Sequence, residues 1–256
     1  MNPSPRFIAA ACAALRATAA PQFARAQNFS PAQKTDIEHV VHDYLLAHPE
    51  VLQEAMAELE KRQTAAEAEK HKVAVKEHAQ KLFSSPNQVT LGNPNGNVTF
   101  VEFFDYNCGY CKRAMDDMLT LMKDDPKLKV VLKEFPVLGP GSLEAARVAV
   151  AVRMQDKTGK KYLEFHTRLL GGRGAADEAH ALAVAKDIGM NMAQLQKDMK
   201  SPEVKTTLDE DMKLAEALGL NGTPSYVIGS EVVVGAIGLP GLQTKINTAR
   251  CGKATC

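Results

Sequence analysis

Residues 98–115 read VTFVEFFDYNCGYCKRAM: an apolar, β-branched and aromatic run, two thiols three positions apart, then a charged, helix-favouring stretch. The run 98–104 has the length of a strand, and its near-continuous apolar character predicts burial on both faces. Cys108 and Cys111 therefore stand where a buried strand hands over to a helix, expected over 108–121. Such a junction suits a metal clip, a structural disulfide or a redox pair.

Downstream, 127–135 alternates Leu128, Val130 and Leu132 and reads as a second strand ended by Pro136. Stretches 145–154, 162–170, 177–188, 192–199 and 202–218 repeat apolar residues at helical spacing. After Gly222-Thr223-Pro224, runs 226–228 and 232–234, joined by Gly229-Ser230, predict a hairpin, and 240–249 a last helix. The order is a split α/β layout, with a helical insertion at about 140–218.

Upstream, Ser30, Pro31 and Gln33 spell a capping box with proline at the first helical position. Ile37, Val40, Val41, Tyr44 and Leu45 follow at helical spacing. Pro49 interrupts them and opens a second helix carrying Leu52, Met56 and Leu59. Residues 60–81 are nearly all Ala, Glu, Lys, Gln and His, which predicts one helix of roughly 33 residues, about 50 Å long. Its buried face is thin: Ala66, Val73, Leu82 and Phe83. With so little to bury, residues 27–83 read as an oligomerisation arm and linker; the alternative is a helix laid across the globule. The turn-rich SSPNQVTLGNPNGN, 84–97, marks the start of a globular domain over 84–256.

The first residues resemble an export leader. Arg6 precedes an apolar stretch of about nine residues, and Ala24-Arg25-Ala26 offers a cleavage site after Ala26. A retained amphipathic helix is the alternative. Cleavage of 1–26 would remove Cys12 and leave Cys108, Cys111, Cys251 and Cys256, an even set suited to an oxidising compartment such as the periplasm. It would also remove Arg6, Arg16 and Arg25, taking the formal charge from +1 to −2. That balance argues against nucleic acid as a partner.

A helix N-terminus leaves backbone N–H groups unpaired and carries partial positive charge. A cysteine placed there is stabilised as thiolate, the species that attacks disulfides. Cys108 is thus expected to be an exposed nucleophile and Cys111 a more buried resolving thiol one turn on. Zinc would need two further ligands, and no histidine pair lies near; copper carriage is the better metal alternative, because soft thiolates bind Cu(I). His39 and His42, and His71 and His78, read as solvated helix residues. Residues 171–174, Gly-Gly-Arg-Gly, read as a flexible loop.

FVEFFDYNCGYCKRAM, LKEFPVLGP and NGTPSYVI together resemble the DsbA-like branch of the thioredoxin superfamily over about 98–249. The helical prefix is similar to that of ScsC, the suppressor-of-copper-sensitivity proteins. The resemblance implies a thioredoxin fold and thiol–disulfide exchange on proteins with cysteines, with no cofactor or metal. It implies a proton-relaying acid at Glu102, for which a plain solvent-facing strand residue is the alternative, and an influence of Lys133 on that acid. It also implies a cis-proline loop at Thr223-Pro224 that binds client backbone, and a membrane redox partner of DsbD-like or DsbB-like type. Gly109-Tyr110 and Thr223 resemble disulfide isomerases more than the strongest oxidases. A monomeric oxidase and a copper-tolerance protein are the alternatives. Cys251 and Cys256 are expected to form a small structural disulfide.

Overall fold

The computed structural model describes residues 29–156 and 158–256; the expected leader and its cleavage site lie outside the described residues. Two compact units divide after Glu58.

In the first unit, α1 (Pro31–Ala47) opens on the expected box: Gln33 N donates to Ser30 Oγ (3.3 Å) and Ser30 N donates to Gln33 Oε1 (2.9 Å). α2 (Glu50–Glu77) begins after Pro49. No residue of α1 is buried, and Ile37, Val40, Val41, Tyr44, Leu52 and Met56 are each at least 43% exposed.

The second unit runs from Leu59 to the last residue. The long helix is shorter than expected, since α2 stops at Glu77 and His78 (φ −101°, ψ 13°) redirects the chain into α3 (Ala79–Ser84). The change of course sinks Leu82 into the core and lets Lys133 Nζ donate to Lys81 O (3.0 Å). Ala66 and Val73 are exposed, and Val75 is the buried residue instead. The compact unit thus begins well before residue 84.

The turn-rich segment also holds an edge strand, β1 (Val89–Gly92). Its two apolar positions, Val89 and Leu91, are too short an alternation to stand out among Asn, Gly and Pro. Gly92 (φ +67°) lets the chain leave the edge; a Cβ there would meet Leu128 O at 2.7 Å. β2 (Val98–Phe104) and β3 (Leu128–Glu134) run parallel, joined by α4 (Gly109–Asp124). The helices α5 (Pro140–Gln155), α6 (Lys160–Gly171), α7 (Glu178–Asp187), α8 (Met192–Asp198) and α9 (Pro202–Ala217) follow. β4 (Ser225–Ile228), β5 (Glu231–Val234) and α10 (Gly238–Cys251) end the chain's regular structure. The sheet order is β1-β3-β2-β4-β5, with every pair but β2–β3 antiparallel.

Strand alternation assigns each residue to a face. Phe100 and Phe104 face a core shared with α4, α5, α6 and α10, and Glu102 shares their side. Val101, Phe103, Val131 and Phe135 face a second core closed by Val75, Leu82, Leu214 and Leu218. Because helices cover both faces, polar residues of β3 that a half-exposed strand would turn outward are buried. Lys133 is fully buried and pairs with Asp211 (3.1 Å) and Glu210 (3.8 Å). Glu134 accepts from Tyr162 Oη (2.8 Å).

Candidate active site

β2 ends in a short turn that places Cys108 as the N-cap of α4. Cys108 N donates to Asp105 O (3.0 Å), and Lys112 N to Cys108 O (3.1 Å). The Cys111 N–H, one of the helix's unpaired donors, points at Cys108 Sγ (3.4 Å). A sulfur in that place accepts a backbone hydrogen bond and faces the positive end of the helix.

Cys111 follows one turn later with no exposed surface; both cysteines are free thiols. Cys108 is less open than expected, at 7% exposed. The reason is the loop across from it. Thr223-Pro224 is a cis peptide, and the Cys108 thiol donates to Thr223 O (3.2 Å). That loop is held in turn by Ser225 Oγ donating to Gly222 O (2.7 Å) and Gly235 N donating to Pro224 O (2.9 Å). Within the dipeptide, Tyr110 is 60% exposed with the Arg113 guanidinium 4.4 Å over its ring, and a side chain at Gly109 would meet nothing within 4 Å.

Beneath the pair, Glu102 is 2% exposed, which removes the reading of a solvent-facing strand residue. Burial, with the Asp117 carboxylate adding to it, pushes its proton affinity from the ordinary 4.5 up to about 8. Burial pushes the Cys111 thiol far up; a backbone hydrogen bond from Asp105 opposes this, and the Glu102 charge adds to it. Tyr226 lies opposite Glu102 on β4, and its buried hydroxyl has no partner among the described residues. Lys133 is not Glu102's partner: it sits one position along β3 from Glu102's register mate Leu132, on the other face of the sheet.

A stability test of Glu102 follows from the direction of its shift. A raised acid binds its proton more tightly folded than unfolded. Its favourable contribution is therefore complete below about 4.5 and lost as pH rises to about 8. Glu102→Gln should be more stable than the parent chain at about pH 9 and nearly matched at about pH 4, read by urea unfolding. An equal difference at both pH values would contradict this electrostatic picture.

Asp105 is a site residue that spacing alone did not reveal. Its Oδ2 accepts from Val137 N (2.8 Å) and Leu138 N (2.9 Å), and its Oδ1 from Asn107 N (2.8 Å), fixing the loop before the thiols. An Asp two residues before Asn107 is an Asx-turn signal, the one sequence cue available. Cys251, the last residue of α10, is disulfide-bonded to Cys256 beyond it, with Cα atoms 6.3 Å apart.

Residues 99–247 match the DSBA-like thioredoxin domain family. The chain belongs to that family. Residues 33–66 match a second one, the copper resistance protein ScsC N-terminal domain. Among solved structures, a thioredoxin-like oxidoreductase from Silicibacter pomeroyi is 46% identical, covering 67% of this chain and 96% of that one (TM-score 0.63). The thiol-disulfide exchange protein alpha-DsbA2 of Wolbachia pipientis is 31% identical over 71% and 97% (TM-score 0.66). Proteus mirabilis ScsC in a transitional conformation is 25% identical over 88% and 98% (TM-score 0.63). Curated Na(+)/H(+) antiporters NhaA of Mycobacterium are 27% identical over 147 residues, and the chain spans 23% of their length. The chain thus has the expected α/β fold with a helical N-terminal region, and is similar to thiol–disulfide oxidoreductases of the DsbA/ScsC type.

Proposed function

We propose that the chain is an exported protein disulfide isomerase, in which Cys108 attacks and Cys111 resolves. The observation that carries the reading is the setting of Cys108 Sγ: a helix N-cap facing the Cys111 N–H and lying against the Thr223 carbonyl of a cis-proline loop. Cys108 thiolate attacks a client disulfide; a Cys108–client disulfide forms and the client's other sulfur leaves as thiolate. Either that client thiol, or another of the same client, returns to release Cys108 and gives isomerisation. Otherwise Cys111 attacks the mixed disulfide, its proton passing to the Glu102 carboxylate, and the client leaves reduced. In the reverse direction neutral Glu102 supplies the proton that a buried Cys111 leaving group needs. Gly109, Tyr110, Thr223 and Pro224 form the client-facing rim. Cys251–Cys256 acts as a staple outside this cycle.

Gly109-Tyr110 and Thr223 favour isomerisation over strong oxidation. Scrambled ribonuclease should regain activity with the reduced protein, and reduced ribonuclease should be oxidised only slowly by the disulfide form. The reverse ranking would make the protein an oxidase. A DsbD-like or DsbB-like membrane partner would reset the pair, in the periplasm once residues 1–26 are removed.

The N-terminal unit supports self-association. Its apolar residues, from Ile37 to Met56, are exposed at helical spacing, with nothing among the described residues of their own unit to cover them. Several sites on one assembly would raise the local concentration of thiols around a misfolded client. Removing residues 27–58, the unit boundary rather than residue 83, should yield a monomer with exchange of small disulfides intact. An unchanged mass in light scattering would refute assembly through these helices.

A further inference from the structure

Two residues flank the Cys108–Cys111 turn and reach into the same span, residues 171–176. Asn107, immediately before Cys108, accepts at Oδ1 from Ala176 N (2.7 Å). Its Nδ2 donates to Ala176 O (2.9 Å) and to Ser142 Oγ (2.9 Å). Lys112, immediately after Cys111, donates from Nζ to Gly171 O (2.9 Å) and Gly172 O (2.8 Å). Those carbonyls close the C-terminal end of α6, where a cation is favoured.

The span reads GGRGAA, and only Ala176 of it is buried. Gly172 is there for close packing: a Cβ would meet His180 Cε1 at 3.0 Å and two α6 carbonyl oxygens at 3.2 Å. Three glycines and one buried alanine give the segment little core contact to fix its path. The polar contacts from the catalytic turn fix it instead, so the loop expected to be flexible is fastened at both ends. The fastening works both ways. The bonds that hold residues 171–176 also hold the turn in the shape that aims the Cys111 N–H at Cys108 Sγ.

We propose that Asn107 and Lys112 are positioning residues that set the redox equilibrium of the Cys108–Cys111 pair by anchoring its turn to residues 171–176 and, through Asn107, to Ser142 of α5. The proposal rests on the exchange reading above. The anchored turn favours the dithiol form, because it solvates Cys108 sulfur with backbone N–H. Loosening it removes that preference and makes the disulfide easier to form.

The test is the equilibrium in which protein dithiol and oxidised glutathione give protein disulfide and two glutathione thiols. Losing hydrogen bonds of this kind should move the constant for Asn107→Ala toward the disulfide by about 2- to 10-fold. Ser142→Ala removes one contact only and should move it the same way by less; it decides the question where Asn107→Ala fails to fold. Lys112→Met should follow Asn107→Ala, and Lys112→Arg should stay within about twofold of the parent. The Lys112→Met shift should persist in ~1 M salt, where a through-space charge effect is screened. Constants for Asn107→Ala and Ser142→Ala within about 1.5-fold of the parent, a shift toward the dithiol, or a Lys112→Met effect that vanishes in salt overturns the anchor. A parent protein that exchanges with no disulfide overturns the exchange reading itself; an active parent with unmoved variants overturns the anchor alone.

Discussion

Cys108→Ser exchanges disulfides at the uncatalysed rate, whereas Cys111→Ala attacks its clients and stays attached to them. The opposed outcomes follow from the different surroundings of the two sulfurs. Cys108 has the helix N-terminus, a backbone N–H at 3.4 Å and the outlet that 7% exposure leaves. A serine hydroxyl in that place does not ionise near neutral pH and cannot form a disulfide, so no intermediate begins. Cys111 is sealed, and its proton is held tightly by burial. It cannot compete for clients, but it lies within one turn of any disulfide formed on Cys108. Removing it abolishes the intramolecular escape and leaves only a returning client thiol. Insulin reduction should fall to background for Cys108→Ser. Non-reducing gels of Cys111→Ala mixed with scrambled ribonuclease should show a thiol-sensitive adduct. Adduct formation by Cys108→Ser, or free turnover of insulin by Cys111→Ala, would reverse the assigned roles.

The largest stability effect lies on the far face of the sheet. Lys133 has no exposed surface and holds Asp211 at 3.1 Å, Glu210 at 3.8 Å and the Lys81 carbonyl at 3.0 Å. Lys133→Met fills similar volume but leaves the Asp211 carboxylate, 3% exposed, without its cation. Breaking one side of such a pair costs about 3–5 kcal/mol. Even with Lys133 present, burial outweighs its attraction and raises Asp211 from the ordinary 3.8 to about 6. A raised acid destabilises the fold as pH climbs through this range, and without Lys133 the raise is larger and the loss extends further up. The cost of Lys133→Met should therefore be greatest above about pH 6 and smaller near pH 4. Adding Asp211→Leu should recover much of it, because an apolar pair replaces a half-broken ionic one. Urea unfolding at the two pH values checks this. A pH-independent cost under about 1 kcal/mol would mean the pair carries little.

The catalytic half of the fold was readable because its signals are local. The run 98–104 is β2 residue for residue, and Ser30 with Gln33 makes the box its spacing implied. Apolar periodicity found the helices of the insertion and Gly229-Ser230 found the hairpin turn. What escaped depends on contacts between distant segments. β1 exists because β3 pairs with it, and Lys133 is buried because α9 brings Asp211 across the sheet. The turn at His78 serves Leu82, which needs the second core. Cys108 loses its expected exposure to a loop 115 residues away, and Asn107 and Lys112 meet residues 171–176 through the same folding. A single chain of letters carries propensity and period, but not which distant carbonyl a side chain will meet.

The central claim concerns which sulfur attacks, and brief exposure of the reduced protein to oxidised glutathione tests it most directly. The reaction is quenched in acid and the modified cysteine mapped by mass spectrometry. The first adduct should sit on Cys108, followed by a Cys108–Cys111 disulfide with the glutathione released. A first adduct on Cys111, or one distributed evenly between the two, would contradict the account.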